Sequence, residues 1–72
     1  MNINELSNYI WYVQEIIIVE SVPSLDIGEL RAKALFVGDN AELRSDIYKD
    51  LKNRQIQSFG AVEDFIVVKL KK

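Results

Sequence analysis

The sequence predicts an α+β fold: a small sheet of about three strands packed against two helices, in the order α-β-β-α-β. Three observations predict it. Residues 16–19 and 66–68 are uninterrupted runs of Ile and Val, whose stiff β-branched side chains suit a pleated sheet. Residues 3–14 and 40–54 carry apolar side chains at helical spacing. Pro23-Ser24 and Gly38-Asp39-Asn40 punctuate the chain between these segments.

Each element has its own signature. In the first helix, about 3–14, Leu6, Tyr9, Ile10 and Val13 fall at i, i+3, i+4 and i+7, the spacing of one buried face. Asn2 with Glu5 three residues later resembles a capping box, in which each residue's side chain satisfies the other's backbone N–H. The run 16–19 is apolar on both faces, as a central strand covered on each side must be. Residues 28–37 read as a second strand, because Leu30, Ala32, Ala34 and Phe36 alternate with Glu29, Arg31 and Lys33. The same stretch also has helical features, since Glu29 and Lys33 are spaced as an i, i+4 pair and Glu, Leu, Arg, Ala and Lys favour helix.

The second helix, about 40–54, opens on Asp39 with Glu42 as a capping pair and advances through Leu43, Ile47 and Leu51. Asp50 and Arg54 are spaced for an ion pair. Residues 55–58 begin a further extended segment, with a turn or bulge permitted at Gly60. In the last strand, 65–70, Ile66, Val68 and Leu70 share one face. Phe36, Phe59 and Phe65 are expected in the core and Tyr48 on a helix flank. The runner-up fold is mainly helical, with a helix-turn-helix pair in 28–54.

Composition narrows the chemistry. Seventy-two residues suit one small domain, 1–72, with nine basic and eleven acidic side chains and a net charge of -2. Cys and His are both absent, which excludes a disulfide scaffold, a zinc finger, an iron–sulfur site and any imidazole-dependent triad. Asp39, Glu42, Asp46 and Asp50 are interleaved with Arg44, Lys49 and Lys52 and lack a calcium-loop pattern, so they read as a solvated helix face. Ser45 and Lys49 stand one helical turn apart, but a Ser–Lys dyad needs a desolvated lysine. Gly28, Gly38 and Gly60 are isolated, so no phosphate-cradling loop is present. The expectation is a protein that is not an enzyme and takes no cofactor or metal.

The apolar runs 16–19 and 65–68 fall far short of the roughly 20 residues needed to span a bilayer, and no secretory n-region precedes them. A cytoplasmic protein with no membrane partner is the default expectation. A chain this short buries only about 60% of its unfolded surface, and small domains without disulfides or metals often complete their core by association. Trp11 lies off the predicted helical stripe, flanked by Tyr12. With Ile3 these residues form the candidate partner interface, since aromatic side chains are enriched at binding hot spots.

Charge is unevenly placed: residues 1–36 carry two basic and five acidic side chains, and residues 37–72 carry seven and six. Lys49, Lys52, Arg54, Lys69, Lys71 and Lys72 form a second candidate surface, one that could touch phosphate. The leading expectation is a non-catalytic protein-interaction or regulatory module, acting as a homo-oligomer or as a small subunit of a larger assembly. It would act by burying apolar surface around Trp11 or by extending its sheet through an exposed strand edge. The alternative is a small nucleic-acid-binding regulator of the antitoxin kind, using the C-terminal basic patch.

Overall fold

In the computed structural model, which describes residues 1–20 and 22–71, four strands form one mixed sheet. The chain runs through α1 (Ile3–Ser7), β1 (Glu15–Glu20), α2 (Ile27–Ala32), β2 (Phe36–Asp39) and α3 (Asn40–Leu43). A single 3-10 turn (Asp46–Tyr48) leads into α4 (Lys49–Lys52), then β3 (Ile56–Val62) and β4 (Phe65–Leu70). The strand order is β2-β1-β4-β3, with β1 parallel to β4 and the two outer pairs antiparallel. The fold is therefore α+β, with four strands where the sequence suggested about three.

The β-branched run explains the centre. Ile16, Ile17, Ile18 and Val19 are fully buried in β1 and alternate between the two sheet faces. Ile16 and Ile18 join Ile3, Leu6, Leu43, Val68 and others in one cluster beneath α1, α3 and α4. Ile17 and Val19 join Val22, Leu30 and Val67 in a second cluster beneath α2. Each cluster alone is small, and β1 and β4 belong to both.

Three expected elements take a different form. The helix predicted over 3–14 ends at Ser7, and Tyr9 and Val13 are exposed instead of buried. Its start is as expected, with the Asn2–Glu5 capping box complete in both directions. Its early end has a cause elsewhere in the chain. The buried Asn40 amide donates to the carbonyls of Ser7 (2.9 Å) and Ile10 (2.8 Å), holding the chain in a turn so that β1 can start at Glu15.

The strand predicted over 28–37 is helical at 27–32, and only its end, from Phe36, joins the sheet. The alternation rested on alanines, and Ala32 is exposed while Leu30 alone is fully buried in this helix. Helix propensity and the Glu29–Lys33 pair (3.3 Å) decide the matter. Because β2 lies between α2 and α3, no helix-turn-helix pair forms over 28–54.

The helix predicted over 40–54 breaks at Ser45, whose backbone is extended. A continuous helix would bury Leu43, Ile47 and Leu51 in one row. The break instead turns Tyr48 and Leu51 onto the core and leaves Ile47 exposed. Lys52 Nζ donates to the Arg44 carbonyl (3.1 Å), serving an acceptor at the interrupted end. Arg54 pairs with Glu20 (3.2 Å) across the fold, where the sequence had suggested Asp50 as its partner.

The extended segment expected from 55 runs on to Val62, and Gly60 lies within β3, not at its turn. The register shifts between Ile56 and Ser58, and the hairpin turns at Glu63-Asp64. Phe36 is buried with its ring edge against Tyr48, and Phe65 is half-buried. Phe59, expected in the core, is 55% exposed, because no helix covers β3 at that position.

Candidate functional site

The most unusual surface is the segment between α1 and β1. Tyr9 and Trp11 are each 82% exposed, Val13 is 81% exposed and Tyr12 is also open to solvent. Asn8, Tyr9, Ile10, Trp11 and Tyr12 line an open depression of about 280 Å³. Soluble proteins rarely display a contiguous patch of large apolar side chains without a use for it.

The backbone under this patch is firmly held. Asn40 contributes its two side-chain bonds to Ser7 and Ile10, and its backbone N–H donates to the Gln14 carbonyl (3.0 Å). The next residue, Ala41, donates to the Tyr12 carbonyl (3.0 Å). Gln14 Nε2 reaches the Asp64 carbonyl (2.8 Å) and its neighbour Glu15 (3.0 Å), tying the segment to the β3–β4 turn. The Arg44 guanidinium sits 5.2 Å from the centre of the Tyr12 ring, a cation–π contact that orients that side chain. Asn40 Oδ1 is buried without a partner among the described residues, so the function of this amide lies in its N–H donors. Glu15 starts β1 directly after the segment, and Asp39 lies opposite it in β2, where its carboxylate accepts from the Glu42 N–H (2.8 Å) and caps α3.

Trp11 and Tyr12 are thus outward, as expected, although they stand on a turn and not on a helix. Ile3 does not belong with them. It is 1% exposed and packs in the cluster beneath α1, because the capping box turns its side chain onto the sheet. Tyr9 and Val13 were missed, since a continuous helix assigns both to its buried stripe. The available signal was the five consecutive apolar residues at 9–13, more than one helix face in so small a chain can bury.

The basic residues do not make one surface. Lys49 and Lys52 line an open depression of about 480 Å³ with Asn4, Asp46 and Asn53, on the face covered by α1 and α4. Lys69 alternates with Val68 and Leu70 along β4 and so points to the opposite face, beside Val67. Arg54 is engaged with Glu20 and with the Lys71 carbonyl (3.3 Å). Lys72 lies outside the described residues.

Among the described residues, no three potential metal ligands of the His, Cys, Asp and Glu types gather, and no helix is long and apolar enough to cross a membrane. Glu29 is, among the described residues, the titratable group with a clear shift. Hydrogen bonds from Lys33 and Ser24, with the lysine's charge, hold its carboxyl below the ordinary value. It lies on the solvent side of α2, apart from the aromatic segment. Comparison with known proteins finds no matching family model, no matching curated protein and no matching solved structure.

Proposed function

We propose that this protein is a non-catalytic interaction module whose aromatic segment, residues 9–13, docks into an apolar groove of a partner protein. The observation that carries the reading is the pairing of a fixed backbone with outward side chains. Asn40, Ala41 and Gln14 hold the main chain, so little backbone entropy is lost on binding, while Tyr9, Trp11, Tyr12 and Val13 offer their surface. Trp and Tyr are the residue types that concentrate binding energy at interface centres. Nucleic-acid binding is the weaker reading, because Lys49 and Lys52 face away from Lys69 and Arg54 is already paired.

Trp11 is the single tryptophan of the chain, so its fluorescence reports directly on the site. A protein retained from native lysate by the wild type but not by Trp11→Ala, then titrated in purified form, should shift the Trp11 emission to the blue. Its affinity for the wild type should exceed that for Trp11→Ala by about 30-fold or more, the scale of a hot-spot truncation of about 2 kcal/mol. Identical retention by wild type and Trp11→Ala would overturn the proposal.

A further inference from the structure

The outer edge of the sheet presents a second surface, made of residues other than those of the aromatic segment. β3 is the last strand of the sheet, and backbone bonds on its outer side lie at its beginning. There Ile56 N–H donates to the Met1 carbonyl (2.9 Å) and Ile3 N–H to the Arg54 carbonyl (3.3 Å). Val62 and Phe65 flank a two-residue turn, so their backbone groups face each other across the hairpin. Alternation then turns the N–H and C=O of Ala61 and Phe59 outward, away from β4. From Ser58 onward no strand among the described residues lies on that side.

Natural sheet edges are usually protected by charge, proline, brevity or cover. The other edge, β2, is four residues long and ends in Asp39. β3 is seven residues long, and from Gln55 to Val62 it carries no charged residue and no proline.

We infer that β3 is a self-association edge, on which a second copy of this chain adds its own β3 antiparallel, about a two-fold axis at Gly60. Three features select a second copy as the occupant. First, an uncharged strand can lie beside itself without like-charge repulsion, although the whole chain is acidic. Second, the outward residues are placed symmetrically about Gly60. In this register Phe59 faces Ala61 of the second copy and Ala61 faces its Phe59, each pair exchanging both N–H···O bonds. The large ring meets the small methyl twice, on the sheet face where Phe59 is left uncovered. Third, the axis falls on a residue without a side chain, and a Cβ there would have no neighbour within 4 Å in the single chain. The two sheets become one of eight strands, twice the four of a single chain.

The stretch from Ser58 to Val62 is short, bounded by the Met1–Ile3 segment at one end and the turn at the other. Such an interface falls below about 1,200 Å² and makes a weak, concentration-dependent dimer. Sedimentation velocity between about 10 µM and about 1 mM covers the range that such an interface populates. The wild type should shift from monomer toward dimer across that range.

Ala61→Pro removes an N–H that points to solvent in the monomer, so the monomer should keep its circular dichroism spectrum while dimerisation is lost. Phe59→Lys brings two like charges to the axis and should also stay monomeric. Trp11→Ala should dimerise like the wild type, which separates this edge from the aromatic segment. A wild type that is monomeric throughout would overturn the inference, as would Ala61→Pro that dimerises normally, or a dimer dissolved by Trp11→Ala.

Discussion

Asn40 shows how one side chain can set the course of a distant segment. Its amide is buried and spends both N–H donors on the carbonyls of Ser7 and Ile10, thirty or more positions away. Asn40→Ala leaves those acceptors without their partner and should destabilise the fold by about 2–3 kcal/mol in urea unfolding. Asn40→Asp should fare no better, because a carboxylate would face two carbonyl oxygens. A change below about 0.5 kcal/mol in either variant would show that the turn holds itself. Glu63 makes the opposite case. At φ 54 in the β3–β4 turn it occupies the left-handed region, which a residue with a Cβ enters at some cost. Glu63→Gly relieves that strain and one charge of the Glu63-Asp64 pair. It should raise stability by about 0.5–1 kcal/mol, or roughly 3–6 °C in Tm by thermal circular dichroism.

At the scale of elements, α2 carries a titration expected to mark stability. The Glu29 carboxyl is held below its ordinary value of 4.5 by Lys33 and Ser24. A group with a lowered folded pKa stabilises fully above its unfolded pKa and loses that contribution as pH falls through the folded value. Glu29→Gln should therefore have a lower Tm than the wild type at neutral pH, and the gap should close once pH drops below the folded value. A gap unchanged down to pH of about 2 would assign the effect to something other than this carboxylate. The central strand was legible from the chain alone, because four consecutive Ile and Val side chains can be buried only where both sheet faces are covered. The segments around it were less so. Tyr9, Val13 and Ile47 sit at helical spacing, but periodicity records apolar type and not burial, and all three face solvent. The decisive terms, the Asn40 amide and the extended Ser45, are a long-range contact and a backbone choice that no local pattern encodes. The candidate site was half legible on the same grounds. Trp11 and Tyr12 stand off the stripe on any helical projection, whereas Ile3 and Phe59 differ from expectation only because of which elements cover them.

Across the whole molecule, the sheet separates two small apolar clusters, with Leu30 and Ile17 in one and Leu43, Ile18 and Ile56 in the other. Neither is large, and a chain of 72 residues has only about 4–11 kcal/mol of total stability. β1 and β4 pair in parallel along five residue positions and contribute buried side chains to both clusters, so losing one face removes the support of the other. Unfolding should therefore be a single cooperative transition, and mild damage on opposite faces should add without interacting. Ile17→Val beneath α2 and Ile56→Val beneath α1 should each cost about 0.5–1.5 kcal/mol. The double variant should match the sum of the two within about 0.5 kcal/mol, because the two side chains share no packing partner in either cluster. Trp11→Ala supplies the control for this accounting. With its ring 82% exposed, it should shift urea unfolding by less than about 0.5 kcal/mol. Urea curves followed by far-ultraviolet circular dichroism test all of this, with Trp11 fluorescence as a second probe in every chain that keeps the tryptophan. Two separated transitions, or a double variant far from the sum, would mean that the clusters fold as distinct units, with the sheet as a seam between them and not a shared centre.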